Sequence, residues 1–124
     1  MTASVETREL AEAAARAASS KKGERVVVLD MRELLVITDY FVIASGTNDR
    51  QVRTIAEEIE RAVKDLGVKP VRREGEREGR WILLDFVDFV CHVFVDEERE
   101  YYDLERLWAD APRIEVAEEA VRGA

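Results

Sequence analysis

The chain has 124 residues, with 19 Lys and Arg against 27 Asp and Glu, a formal net charge of −8. That length supplies one core without disulfides or metal to hold it together, and a single cysteine excludes an internal disulfide framework. The acidic balance argues against general nucleic-acid binding, which depends on neutralising phosphates with Lys and Arg, and favours a basic partner.

No apolar run is long enough to span a bilayer, and the N-terminus lacks the basic-then-apolar layout of a secretory signal. A cytoplasmic protein with no membrane attachment is the expectation. Residues 4–20, rich in Ala, Glu, Arg and Leu, predict a helix with Ser4 as its cap and Glu6 in the first turn. Its apolar stripe of Val5, Leu10, Ala13, Ala14 and Ala17 is small, so the helix has to lean on a sheet or on a partner subunit. Lys21, Lys22 and Gly23 end it. RVVVLDM, residues 25–31, reads as a strand covered on both faces, and a second such run, YFVIAS, follows Asp39. Two unalternating runs this close imply a sheet sandwiched by helices. Gly46, Thr47 and Asn48 then turn into a long helix over about 49–66, on which Val52, Ile55, Ile59, Ala62 or Val63 and Leu66 follow helical spacing. Asn48 caps it, Gln51 holds the capping-box position and Gly67 is the stop.

Residues 68–71 predict a third strand, which Pro70 confines to an edge or a strand start. RREGEREGR, residues 72–80, alternates in sign and reads as a solvated hairpin loop. Two strands follow at 81–85 and 89–95, hinged at Phe86, Val87 and Asp88. On the second, Val90, His92 and Phe94 share one face while Cys91, Val93 and Val95 share the other, with Cys91 read as a small core residue. A face carrying a histidine and a phenylalanine suits a half-dry contact surface. Asp96 stands where an N-cap belongs, with Glu97 and Glu98 in the first turn. Tyr101, Leu104, Leu107 and Trp108 recur at three- and four-residue intervals and predict the core-packed face of a last helix, closed by Pro112. Tyr102, Asp103 and Glu105 fall to its side. Two tyrosines and a tryptophan are also the residue types of protein–protein hot spots, and around them Asp96, Glu97, Glu98, Glu100, Asp103, Glu105 and Asp110 outweigh Arg99 and Arg106. Residues 1–112 are expected to form one domain and 113–124 a tail, helical or disordered.

Gly46 and Thr47 before a helix have the layout of a phosphate-binding turn, since helix N-termini bear unpaired N–H groups. They match neither GxGxxG nor GxxxxGK[ST]. Of the carboxylates that would hold Mg²⁺, Glu57, Glu58 and Glu60 fall on the helix, and Asp85 and Asp88 come much later beside a turn. Metal-dependent nucleotide transfer is poorly supported. His92 has only Cys91 beside it, on the opposite face of a regular strand, which leaves neither a zinc site nor a Cys–His nucleophilic pair. His92 is a contact-surface residue, a satisfied core residue or, last of the three, a catalytic one. No catalytic, metal or cofactor-binding residue is expected.

The run ITDYFVIASGT, a helix beginning NDRQVRTIAEEI, then WILLDFxDFxxHVF and YYDLERLW resembles the ribosomal silencing factor family, RsfS, also called Iojap, over residues 24–109. The resemblance implies an α/β (α+β) fold: a mixed sheet of about five strands flanked by helices, distantly similar to nucleotidyltransferases without their catalytic carboxylates. It implies a non-enzymatic translation repressor, with no cofactor, acting when nutrients are scarce. Such a factor binds the large ribosomal subunit through its fourteenth protein, makes little direct nucleic-acid contact, and blocks joining of the small subunit. The binding surface carried over is Trp81, Asp85, His92, Phe94, Tyr102, Leu104 and Glu105; Asp39 and Gly46 match as turn and strand-start residues. Dimers occur in the family, so a homodimer is compatible with the role. The rival readings are a nucleotidyltransferase-like nucleotide-binding enzyme and a simple homodimerisation module.

Overall fold

The computed structural model describes residues 6–116. Helix α1 (Thr7–Ser20) leads into strands β1 (Glu24–Asp30) and β2 (Tyr40–Gly46), then helix α2 (Asp49–Lys64). Strands β3 (Arg72–Glu74), β4 (Trp81–Asp85) and β5 (Phe89–Val95) follow, then α3 (Asp96–Tyr102), α4 (Leu104–Leu107) and β6 (Arg113–Ile114). The strands form one mixed sheet in the order β3-β4-β5-β2-β1-β6, in which β2 and β5 are parallel and the other neighbours antiparallel. Only a crossover can return the chain parallel to an earlier strand, and α2 with the β3–β4 hairpin makes it.

The helices start as their first residues dictate, with shifts from the expected caps. Ser4 and Val5 lie outside the described residues; α1 begins after Glu6, whose side chain and that of Glu9 cap reciprocally. Asn48 does cap α2 by accepting from the Gln51 N–H at 2.9 Å. Gln51 reaches back one residue further than a capping box requires, taking the Thr47 N–H at 2.7 Å. Val52, Ile55, Ala56, Ile59 and Val63 are buried along α2, and Leu66, expected on that stripe, is exposed past the helix end. On α1 the buried set is Leu10, Ala11, Ala14, Ala15, Ala17 and Ala18, and their small side chains let the helix lie close to α2 and the sheet.

Both long helices cover the same face of the sheet, burying Val28, Val42, Ala44, Ile82, Leu84, Cys91 and Val93 beneath them. The expected sandwich is therefore one-sided. The opposite face bears Leu29, Met31, Ile43 and Phe94, covered by Leu104, Trp108 and Ala111 from the C-terminal segment, and toward β3 it is open. Residues 68–71, expected as a strand, are not one; the pairing begins at Arg72, inside the expected loop. Three charged residues on that edge strand discourage pairing with another sheet. The expected tail contributes an edge strand instead of a helix at its start, with Val28 opposite Ile114 and Leu29 opposite Arg113; the remainder of the tail from residue 117 lies outside the described residues.

The β3–β4 hairpin turns on Gly75, whose φ is 85° and where a Cβ would stand 1.9 Å from the Trp81 carbonyl oxygen. Gly75→Ala is expected to destabilise by at least the ~1–3 kcal/mol of a strained backbone. The readout is a lower urea midpoint at unchanged slope; an unchanged midpoint would remove the close approach as a constraint.

Candidate functional site

Strands β4 and β5 alternate as their sequences require, so Trp81, Leu83 and Asp85 share the open face with Val90, His92 and Phe94. Register sets Trp81 opposite Phe94 and Leu83 opposite His92, while Ile43 of β2 lies on the other side of His92. The rings then stack in a continuous cluster. Trp81 lies 4.8 Å from Phe94 and 4.6 Å from Tyr102 between ring centroids, and Phe41 meets His92 edge-on at 4.8 Å. Tyr101 packs edge-on against Tyr102 at 5.0 Å and is itself 79% exposed.

The helix that carries these tyrosines is broken. Asp103 adopts a left-handed conformation, φ 49° and ψ 53°, and separates α3 from α4. The continuous face expected of Tyr101, Leu104, Leu107 and Trp108 is thereby split. Tyr101 and Leu107 stand in solvent, whereas Leu104 and Trp108 turn onto the sheet. Asp96 is the first residue of α3, with Val95 at the cap position and no side-chain cap bond.

What holds the break together is Arg99, one of the two basic residues among the acids of this segment. It is 2% exposed. Its Nε and Nη2 donate to the two oxygens of Glu105 at 3.2 and 2.5 Å. Nη2 also donates to the Arg25 carbonyl at 2.6 Å, and Nη1 to the Glu24 carbonyl and the Ser45 hydroxyl at 3.3 Å each. Those carbonyls belong to an irregularity in β1, where the register slips between Glu24 and Val27 and Arg25 has φ 50°. A buried guanidinium thus ties α3 and α4 to the bulged start of β1. Burial pushes the Glu105 carboxyl upward, but the hydrogen bonds and charge of Arg99 outweigh it and hold the group below its usual range.

The expected site residues fall into three groups. Trp81, Tyr102 and Leu104 are partly or largely accessible and lie together. His92 and Phe94, expected on a contact surface, are only 6% and 1% exposed and back that group from beneath. Asp85 and Glu105 have partners within the chain: Asp85 pairs with Arg72 at 3.1 Å and accepts the Val87 N–H at 2.8 Å, and Glu105 is held by Arg99. Glu97 and Glu98 share Arg80 as partner, the first 86% exposed and the second 26%.

His92 is neutral by environment: burial pulls its pKa from 6.5 to about 4. Its Nδ1 accepts the Trp81 indole N–H at 3.2 Å, so the neutral ring carries its proton on Nε2, which is buried without a partner. Cys91, on the other face, is fully buried, and burial raises its thiol above the ordinary value, as befits a core residue. The Gly46–Thr47 turn is filled from within. Thr47 N–H and Oγ1 both donate to Gln51 Oε1, and a Cβ on Gly46 would stand 3.0 Å from that same oxygen. A phosphate there would have to displace these bonds.

The sequence profile of the family described as "Ribosomal silencing factor during starvation", RsfS, matches residues 4–124. This chain belongs to that family. A Halalkalibacterium halodurans ribosomal silencing factor RsfS is 43% identical over 108 residues, 87% of this chain and 92% of that protein. The mouse protein called mitochondrial assembly of ribosomal large subunit protein 1 is 34% identical over 86 residues, 67% of this chain and 38% of its own length. A crystal structure of a Chromobacterium violaceum protein superimposes with a TM-score of 0.82 at 34% identity, covering 85% of this chain and 88% of that one. The mixed sheet flanked by helices is therefore the RsfS architecture, and the family name ties the chain to translation regulation at the ribosome. Among the described residues no helix is long and apolar enough to cross a membrane.

Proposed function

We propose that this chain docks on the fourteenth protein of the large ribosomal subunit and blocks joining of the small subunit by its bulk, repressing translation. The observation that carries the reading is the sheet face left open by the one-sided helices, on which Trp81, Tyr102 and Leu104 form an accessible aromatic and apolar cluster. A relative named for assembly of the ribosomal large subunit supports that choice of subunit. Trp81, Tyr102 and Leu104 make the contact, His92 and Phe94 hold the rings in place, and Glu105 fixes the helix break through Arg99. Glu97, 86% exposed, meets basic side chains of the partner, and Asp85 and Glu98 do so by exchanging Arg72 and Arg80 for them. The net charge of −8 disfavours contact with bare RNA. Such a mechanism operates in the cytoplasm and needs no catalytic residue, metal or cofactor. A homodimer is compatible with it where the docking face stays free.

Co-sedimentation with isolated large and small subunits, repeated at raised salt, tests the reading. Pelleting with the large subunit only and inhibition of subunit joining are expected; pelleting with the small subunit, or with neither at low salt, overturns it. Tyr102→Ala is expected to weaken large-subunit binding roughly 30-fold, as loss of a hot-spot aromatic does, while its melting temperature stays near that of the parent because the side chain is 44% exposed. Wild-type affinity in that variant would take Tyr102 out of the contact.

A further inference from the structure

We propose that the hollow beside His92 is a socket for one large apolar side chain of the docked protein, and that a backbone carbonyl of the same segment accepts a hydrogen bond from His92 Nε2–H. The inference rests on the docking reading above and names the chemistry of its anchor. The hollow measures about 370 Å³, and Leu35, Phe41, Leu83 and Val90 form its apolar walls. Two of its lining residues bring buried polar atoms without partners: His92 Nε2 and Thr38 Oγ1, the latter on a residue 4% exposed. The imidazole cannot turn over to relieve this, because Nδ1 is already engaged by Trp81. A buried donor with no acceptor destabilises the free chain, and a ligand that supplies the acceptor removes that cost on binding. An acceptor carried on an apolar segment is thus what the site lacks. Burial keeps the ring neutral and the Nε2 proton in place at physiological pH.

The occupant is a protein segment for a further reason. Ile37 and Val87 belong to the same hollow yet are exposed, so apolar surface continues beyond its mouth, where a small molecule seated inside would leave it uncovered. Val87 is held there at φ 75°, an unfavourable conformation for a β-branched residue, by the Asp88 N–H donating to the Phe86 carbonyl at 2.9 Å and by Asp85 accepting the Val87 N–H. A second copy of this chain would bring its own charge of −8 to the contact, so a basic protein fits better.

Two variants read the proposal in the same large-subunit binding assay. His92→Phe keeps a ring of similar size and removes the Nε2–H donor together with the Nδ1 acceptor of the Trp81 indole N–H. Its affinity is expected to fall about tenfold while its melting temperature at neutral pH stays near that of the parent. Val90→Trp fills the hollow from the surface side of β5 and is expected to abolish binding in a chain that still melts cooperatively. If the parent protein itself fails to bind the large subunit, the docking reading falls. If the parent binds, wild-type affinity in folded His92→Phe overturns the hydrogen bond, and wild-type affinity in folded Val90→Trp overturns the socket. Loss of a solution dimer in Val90→Trp with ribosome binding intact assigns the hollow to a second copy and overturns the proposal equally.

Discussion

Replacing Arg99 by Met is expected to cost about 3–5 kcal/mol, the magnitude for breaking a buried ion pair from one side. The variant leaves the Glu105 carboxylate facing an apolar stem and strips donors from the carbonyls of Glu24 and Arg25. Each such loss is costly because a buried group without a partner forfeits its hydration and receives nothing in exchange. The double variant Arg99→Met with Glu105→Met is expected to recover a large part of the loss, since two apolar side chains of similar volume need no partners. Urea unfolding of the four proteins measures the coupling directly. Additive effects of the two substitutions would show that the pair is a surface contact of the ordinary weak kind. Large-subunit binding should fall in Arg99→Met, because the pair fixes the turn at Asp103 that separates Tyr102 from Leu104.

How much of this could be read from the residues follows from where each signal resides. Helix α2 is legible because one stripe, one cap and one stop agree along sixteen residues. The faces of β5 are legible because alternation depends on the strand alone, and it puts Val90, His92 and Phe94 on one side; Trp81 joins them through the pairing of β4 with β5, which sets it opposite Phe94. The break at Asp103 is not, since no Gly or Pro marks it; the left-handed turn is stabilised by Arg99, which holds Glu105 and the carbonyls of the bulged start of β1 together. For the same reason Tyr101 and Leu107 looked like core, and their spacing is helical only if the helix continues. The unalternating YFVIAS run suggests helices on both faces, yet its outer side is covered by Leu104, Trp108 and Ala111 of the C-terminal segment. Arg113 and Ile114 pair too briefly to leave any periodicity. The hollow leaves no local signal in the sequence because its lining comes from two loops and from β2, β3, β4 and β5. Phe41, in phase with Ile43 and so with His92 across the parallel ladder, was the one hint available.

Lowering the pH from 7 to about 4 is expected to remove about 3 kcal/mol of stability through His92 alone. Its pKa in the folded chain is about 4 against an ordinary 6.5, because burial penalises the imidazolium. Between those values the unfolded chain binds the proton and the folded chain does not, so stability is complete above pH 6.5 and is lost as the pH falls toward 4. The charged side chains that share the hollow, Asp85 and Arg72, are paired with each other. Glu105, held low by Arg99, adds a further loss beneath its usual carboxylate range. The check is a series of urea midpoints from pH 7.5 to 4.5 on the parent and on His92→Phe. The parent should weaken steadily below pH 6.5 and the variant should stay nearly flat until the carboxylates titrate. Parallel curves would mean that His92 accepts its proton without resistance, as an exposed imidazole does, and the partnerless Nε2–H on which the socket depends would then have water or protein to bond.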